Sequence, residues 1–134
     1  MKVYEFGVEN AKTFAMFQCA AEPWWAFRAS AEAMARDYHV FLFIADGHDE
    51  QGTEFVAIEK NVKNAADYLR KAGVSLVDAM YGEEEKKARK NDLAYTRRVY
   101  PQTVEREFKG LAHAELVLMF PERFYEEVTR FMEE

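Results

Sequence analysis

The chain has 134 residues, enough for one domain with a buried core, and 49% of them are hydrophobic, which excludes a disordered chain. Its 24 acidic and 18 basic residues give a net charge of -6, which argues against a nucleic-acid-binding surface. No stretch approaches the roughly 20 apolar residues that a membrane span requires. With its single cysteine, the chain is predicted to be cytoplasmic and free of an internal disulfide.

Strand-like and helix-like segments alternate along the chain. Five segments have the short apolar or alternating pattern of β-strands. The predicted strands are Lys2–Phe6, Thr13–Gln18, His39–Ala45, Leu76–Tyr81 and Val104–Phe108. Four other segments have the composition or the apolar spacing of helices. The predicted helices are Phe27–Asp37, Ile58–Ala72, Glu84–Val99 and Pro121–Met132.

This order of elements predicts one α/β domain over residues 1–134, with a doubly wound, mostly parallel sheet and helices on both faces. We expect Lys2–Phe6 to lie antiparallel at one edge and Thr13–Gln18 to be buried on both faces. The second helix should end at Gly73, because glycine commonly follows a helix C-terminus. Its predicted buried stripe is Ile58, Val62, Ala65, Ala66 and Leu69.

The chain is organised around the predicted strand Leu76–Tyr81, which stops at Gly82. Three carboxylates, Glu83, Glu84 and Glu85, follow directly. In a parallel sheet, the loop that leaves such a strand carries the chemistry. This loop offers no nucleophile, so the sequence resembles an enzyme scaffold without its central residue.

One turn holds residue types that can bind metals. Asp46, His48 and Asp49 follow the strand His39–Ala45 within four residues. No second cluster of histidine or cysteine completes a coordination sphere. A hydrogen-bonded turn is therefore the favoured interpretation, and the sequence predicts neither a metal site nor a cofactor.

Several segments follow the order of elements in a known family. The matching segments are Tyr4–Gly7, Thr13–Gln18 with Trp24 and Trp25, His39–His48, Ile58–Leu69, and Gly110–Glu115 with Pro121–Phe124. Together they resemble the α/β-hydrolase family over nearly the whole chain. Each segment alone is a weak signal, and their common order makes the resemblance more specific.

The resemblance fails at the centre of the fold. In the family, the strand that matches Val77–Gly82 continues into Gly-x-Ser-x-Gly, whose sharp turn presents the nucleophile. Here Gly82 leads into glutamates, as after a later strand of the family, so two strands look joined at a Tyr-Gly step. The two serines of the chain, Ser30 and Ser75, lack the flanking glycines. Such a join favours an engineered or laboratory-derived origin, with a natural rearrangement as the alternative.

The resemblance assigns roles to a few residues. His113 matches the catalytic base, and Glu85 best matches the acid that orients it, with Glu83 and Glu84 as near substitutes. Cys19 is a remote candidate nucleophile, which would need a lowered pKa. Together with Cys19, Trp24 and Trp25 would flank a ligand cleft. The alternatives are a leftover loop histidine, a charged helix start, a small buried cysteine and tryptophans that cap the core.

The resemblance thus implies a catalytically inactive, minimised hydrolase-like core. Two alternatives stay open: a weak residual esterase that uses His113 with Glu85 or Cys19, and a small-molecule binding module with an aromatic-lined cleft at the strand ends. If the family's neighbours are kept across the join, the four parallel strands take the flavodoxin-like order 2-1-3-4. Loss of a lid should uncover apolar surface and favour a homodimer. That surface is expected near Trp24, Trp25, Met119 and Phe120.

Overall fold

The strands and helices are those of a computed structural model that describes residues 1–18, 22–48, 53–73, 79–82, 94, 97–98, 101, 105–112 and 114–133. The strands are β1 (Lys2–Phe6), β2 (Lys12–Phe17), β3 (Tyr38–Ile44), β4 (Ala79–Gly82) and β5 (Glu105–Phe108). The α-helices are α1 (Arg28–Met34), α2 (Ile58–Lys71), α3 (Glu115–Met119) and α4 (Pro121–Glu133). A 3₁₀ turn, Trp24–Phe27, leads into α1.

Strand β3 is the centre of a three-stranded sheet with the order β1-β3-β2. It pairs antiparallel with β1 and parallel with β2, so that Phe43 lies between Val3 and Phe17. Nearly all of β3 is buried, as its continuous apolar sequence predicts for a strand covered on both faces. Tyr38, Val40, Leu42 and Ile44 point to one face of this sheet, here called the first face, and His39, Phe41 and Phe43 point to the second face.

A separate two-stranded sheet pairs β4 with β5 in parallel, with Ala79 opposite Glu105. The predicted single sheet, doubly wound, mostly parallel and ordered 2-1-3-4, is therefore wrong. In that predicted order, β2 would lie between β3 and β4 and would be buried on both faces. Instead, among the described strands β2 pairs with β3 alone, and its ends Lys12 and Phe17 are exposed. A strand with that burial pattern is an edge strand.

The first face carries the main core, under the 3₁₀ turn and helices α1, α3 and α4. The buried core side chains are Met16, Phe27, Ala31, Met34, Tyr38, Val40, Leu42, Ile44, Phe108, Leu111, Leu116, Phe124 and Val128. Polar contacts also link these helices: the hydroxyl of Ser30 on α1 donates to the carbonyl of Val117 on α3. The hydroxyl of Tyr125 on α4 donates to Asp37, just after α1, which raises the pKa of Tyr125.

The second face is covered by α2 through a smaller core of Phe41, Phe43 and Ala65. The predicted buried stripe of this helix is wrong at Val62, which is 55% exposed, whereas Asn61 is only 5% exposed. Asn61 turns inward because its side-chain oxygen accepts the backbone N–H of Asp46 at 2.8 Å. A buried amide with a partner can replace an apolar residue in such a stripe.

The other predicted helices agree with the structure to different degrees. The last helix starts at Pro121 as predicted, and Gly73, with φ of +78°, follows α2. The first helix is shorter than predicted, since its start is a 3₁₀ turn and α1 ends at Met34. Most of the predicted helix 84–99 lies outside the described residues.

Candidate functional site

The carboxyl ends of the parallel strands β2 and β3 meet at one edge of the sheet. Phe17 ends β2 opposite Phe43, and the backbone N–H of Gln18 donates to the carbonyl of Phe43 at 3.1 Å. Open α/β sheets bind ligands at this edge. We call the group Phe17, Gln18, Asp46 and Phe55, which lies on or beside this edge, the strand-end site.

Two exposed aromatic rings belong to the strand-end site. Phe17 is 54% exposed and stacks on the buried ring of Phe43, with centroids 4.9 Å apart and planes at 12°. Phe55 is 51% exposed and lies close to Gly47, where an added Cβ would come within 2.8 Å of the Phe55 Cβ. Gly47 has φ of +84°, so only glycine fits this turn without strain. The sheet edge thus presents flat apolar surface to solvent.

The polar part of the strand-end site contains two buried acceptors. Asp46 is 1% exposed, and its carboxylate forms an ion pair with the ammonium group of Met1. The side-chain N–H of Gln18 donates to the carbonyl of Glu22. The side-chain oxygen of Gln18 is buried and accepts no hydrogen bond in the described part of the chain. A buried acceptor without a donor costs roughly 1–3 kcal/mol, so this oxygen favours any ligand that supplies one.

The turn after β3 is hydrogen-bonded, as its sequence predicts. The N–H of Gly47 donates to the carbonyl of Thr53 at 2.7 Å, and that of His48 donates to Ala45 at 3.1 Å. Asp49 lies outside the described residues. Among the residues with described positions, no three histidine, cysteine or acidic side chains group as a metal site would require.

The residues that the hydrolase resemblance singled out are only partly described. His113, Glu85 and Cys19 lie outside the described residues, so their predicted roles stay predictions. Trp24 stacks on Tyr4 with centroids 4.2 Å apart, and Tyr4 pairs with Leu42 in the middle of β3. Trp24 therefore packs beside the middle of the sheet rather than at the strand ends.

Trp25 has a different environment from its neighbour. It is 61% exposed, although the 3₁₀ turn that carries it also holds the buried Phe27. The two predicted roles, capping the core and contacting a ligand, thus fall to different tryptophans. Trp24 packs against the edge of the core, and Trp25 is exposed to a ligand or a partner.

A second cluster of titratable groups lies on the second face and is absent from the sequence predictions. Glu5 on β1 accepts the Tyr68 hydroxyl of α2 at 2.6 Å through Oε1. Its Oε2 lies 2.8 Å from Nε2 of His39 on β3. We call these three residues the Glu5 cluster. The alternation of β1 and β3 places Glu5 and His39 on the face opposite Tyr4 and Tyr38, and only the antiparallel register brings them together.

The hydrogen bonds of the Glu5 cluster shift two pKa values. The Tyr68 hydroxyl, followed by His39, lowers the pKa of Glu5. Donation to Glu5 raises the pKa of Tyr68 to about 12. The bond therefore contributes to stability fully below the ordinary tyrosine pKa of about 10 and is lost as the pH rises through 12. On the acid side, the contribution of Glu5 is lost as the pH falls through its lowered pKa. The cluster links β1, β3 and α2.

Comparison with known proteins gives no relative. No protein family, curated protein or solved structure matches the chain. Among the helices in the described part of the chain, none is long and apolar enough to cross a bilayer.

Proposed function

We propose that this chain is a non-catalytic binding module that takes a small flat cation with hydrogen-bond donors at the strand-end site. The buried side-chain oxygen of Gln18, which accepts no hydrogen bond from the described residues and directly follows the exposed Phe17 in the chain, carries the proposal. A ligand N–H would satisfy that acceptor, and a flat apolar ligand body would stack on the ring.

The charge of the chain favours a cationic ligand. The net charge is -6, which favours the approach of a cation over that of an anion. An anion of the same size would be repelled by the negative potential of the chain. Its oxygens also accept hydrogen bonds, so they could not donate to the side-chain oxygen of Gln18.

Benzamidine, a planar aromatic cation with several N–H donors, tests the proposal by isothermal titration. For a fragment of this size we expect a Kd on the order of 1 mM, and at least about tenfold weaker binding of benzoate. Phe17→Ala should weaken benzamidine binding about fivefold because one ring contact is worth roughly 1 kcal/mol. Gln18→Met, which removes the acceptor at similar volume, should weaken it about as much.

Phe120→Ala is the matched control for Phe17→Ala, since Phe120 is another exposed phenylalanine, 42% exposed, that lies outside the strand-end site. Its benzamidine affinity should equal that of the unaltered chain. Equal affinities for benzamidine and benzoate, or equal losses in the Phe17 and Phe120 variants, would contradict the proposed ligand class.

The non-catalytic half of the proposal predicts that the chain will not hydrolyse esters through an acyl-enzyme. Acyl transfer needs a nucleophile where a base and an oxyanion hole converge. The one serine with a described position, Ser30, is 0% exposed and its hydroxyl donates to a backbone carbonyl between two helices. We expect no stoichiometric labelling by a fluorophosphonate and no turnover of an activated ester that depends on His113.

Two results would overturn the non-catalytic assignment. One is labelling of any residue in a one-to-one ratio, and the other is turnover that His113→Ala abolishes. Either would show a working residual esterase. General base catalysis by a lone histidine is worth only about 10²–10⁴-fold, well below a complete hydrolase.

Self-association is also a proposal, and it rests on exposed apolar side chains. Trp25 is 61% exposed, Met119 68% and Phe120 42%. Side chains of this kind, grouped on one surface, commonly mark contacts between protein chains. The 3₁₀ turn that carries Trp25 packs against α3, which ends at Met119.

A further inference from the structure

The Glu5 cluster brings together three side chains whose donor atoms bind transition metals. Glu5 offers carboxylate oxygens, His39 offers an imidazole nitrogen, and the third donor is the phenol oxygen of Tyr68. Oε2 of Glu5 lies 2.8 Å from Nε2 of His39, and its Oε1 lies 2.6 Å from the Tyr68 hydroxyl. Ligands at right angles around an ion with bonds of about 2.0 Å are about 2.8 Å apart. The two separations therefore suit donors that share one ion.

Packing orients the two rings of the cluster. The His39 ring has its centroid 4.3 Å from that of Phe41. The Tyr68 ring meets Phe41 and Phe43 edge-on, with centroid distances of 5.6 and 5.5 Å. Glu5 pairs with Phe41 across β1 and β3, and this register places its carboxylate between the other two donors. Ligands that are oriented before the metal arrives bind it more tightly, because less conformational entropy is lost.

The cluster is open to an entering ion. The side chain of Glu5 is 39% exposed and that of His39 is 19% exposed, so solvent reaches the donor atoms. Water molecules can then complete the coordination of an ion that three protein side chains hold.

The partners of Glu5 distinguish it from Asp67, a carboxylate on the same helix as Tyr68. Asp67 forms ion pairs with Lys63 and Arg70, each at 2.7 Å. Those cations offset its charge and leave it little attraction for a metal ion. Glu5 is instead paired with a phenol and an imidazole, which are themselves metal ligands.

We propose that the Glu5 cluster is a binding site for one divalent transition-metal ion and that copper(II) binds there most tightly. Mixed nitrogen and oxygen donors are typical of copper(II) sites, and copper(II) has the highest affinity of the first-row divalent ions for such donors. As the metal–oxygen bond forms, the Tyr68 hydroxyl releases its proton to solvent, because a dication favours the phenolate. The net charge of -6 also favours a cation.

The metal site is separate from the strand-end site. His39 is the second residue of β3, whereas the strand-end site lies at the carboxyl end of the same strand. Benzamidine binding and copper(II) binding are therefore independent, and failure of one leaves the other standing.

Titration with copper(II) chloride, followed by visible absorption, tests the site in the unaltered chain. Copper(II) bound to a phenolate gives a charge-transfer band in the visible region, which carboxylate and imidazole ligands do not give. We expect this band to saturate at one ion per chain. An excess of magnesium chloride of about tenfold should not reduce it, because magnesium prefers carboxylate and water oxygens. Absence of the band, or its loss on adding magnesium, would overturn the site.

Two pairs of variants assign the ion to this cluster. Tyr68→Phe keeps the ring and should abolish the band. Tyr125→Phe is its matched control, since Tyr125 also donates to a carboxylate, and it should keep the band. In isothermal titration, His39→Gln should weaken copper(II) binding by at least about tenfold. His48→Gln, which alters an exposed histidine, is the second control and should keep the affinity. Circular dichroism confirms that the variants are folded.

Equal effects in a variant and its control would mean that copper(II) binds scattered surface side chains and would overturn the site. Persistence of the band in Tyr68→Phe, or a loss of affinity in His48→Gln without one in His39→Gln, would overturn it as well. Should Tyr68→Phe fail to fold, the two histidine variants and the absorption of the unaltered chain decide the question.

Discussion

Gly7→Ala is expected to lower the free energy of unfolding by about 3 kcal/mol or more. Gly7 has φ of +59°, and an added Cβ would lie 2.6 Å from the carbonyl oxygens of both Ala35 and Tyr38. Left-handed backbone costs a residue with a Cβ roughly 1–2 kcal/mol, and overpacking adds about 1–3 kcal/mol. Both oxygens are backbone atoms, that of Ala35 directly after α1 and that of Tyr38 at the start of β3, so they can move only if these elements move with them.

Gly73→Ala separates the cost of left-handed backbone from the cost of overpacking. Gly73 has φ of +78°, but no atom of the described residues lies within 4 Å of an added Cβ, so the cost of left-handed backbone is expected to act alone. The expected loss is about 1 kcal/mol. Urea unfolding followed by circular dichroism measures both variants. Equal losses would mean that the turn after β1 does not approach Ala35 and Tyr38 as closely as the structure places it.

The strands could be predicted from the sequence, but their arrangement in sheets could not. The apolar run of β3 and the alternation of β1 are local signals. The pairing of β1 with β3 is not local, because β2 lies between them along the chain. Whether β2 is an inner or an edge strand depends on what covers its far side. Thr13–Gln18 is apolar enough for either position, and the exposure of Lys12 and Phe17 decides for the edge.

The Glu5 cluster could not be found by reading the sequence segment by segment. Its members are 34 and 63 residues apart along the chain and come from three elements. Alternation alone assigns Glu5 and His39 to the second face, and the apolar stripe predicted for α2 omits Tyr68. Predicting this cluster requires the register of β1 on β3. It also requires knowing which side of α2 faces the sheet, and that side differs from the predicted one because Asn61 turns inward to accept the Asp46 N–H.

The strand-end site was partly predictable. The rule that ligands bind at the carboxyl ends of parallel strands indicated the edge, and the Asp46 turn was recognised from its residue types. The sequence suggested Trp24 and Trp25 as its aromatic lining, whereas the structure places Phe17 and Phe55 there. The reason is geometric. Trp24 stacks on Tyr4, which pairs with the middle of β3, so Trp24 lies away from the strand ends.

Phe27→Ala is expected to have the second large effect, a loss of about 3–5 kcal/mol in the free energy of unfolding. Phe27 is 1% exposed and belongs to the core of the first face, where its removal would leave a cavity. The same 3₁₀ turn carries Trp25, which is 61% exposed. Trp25→Ala should change stability by less than about 0.5 kcal/mol, although tryptophan is the larger side chain.

This pair of substitutions tests how the aromatic segment 24–27 is oriented. A short turn can point only some of its four side chains inward, so burial of Phe27 requires exposure of a neighbour. Urea unfolding of both variants should rank Phe27→Ala far below Trp25→Ala in stability. The opposite ranking would mean that Trp25 fills the core, and the turn would then present Phe27 to solvent. In that case Trp25 would be buried and could not contact a ligand or a second chain. The ranking therefore tests whether Trp25 is a core residue or an exposed contact residue.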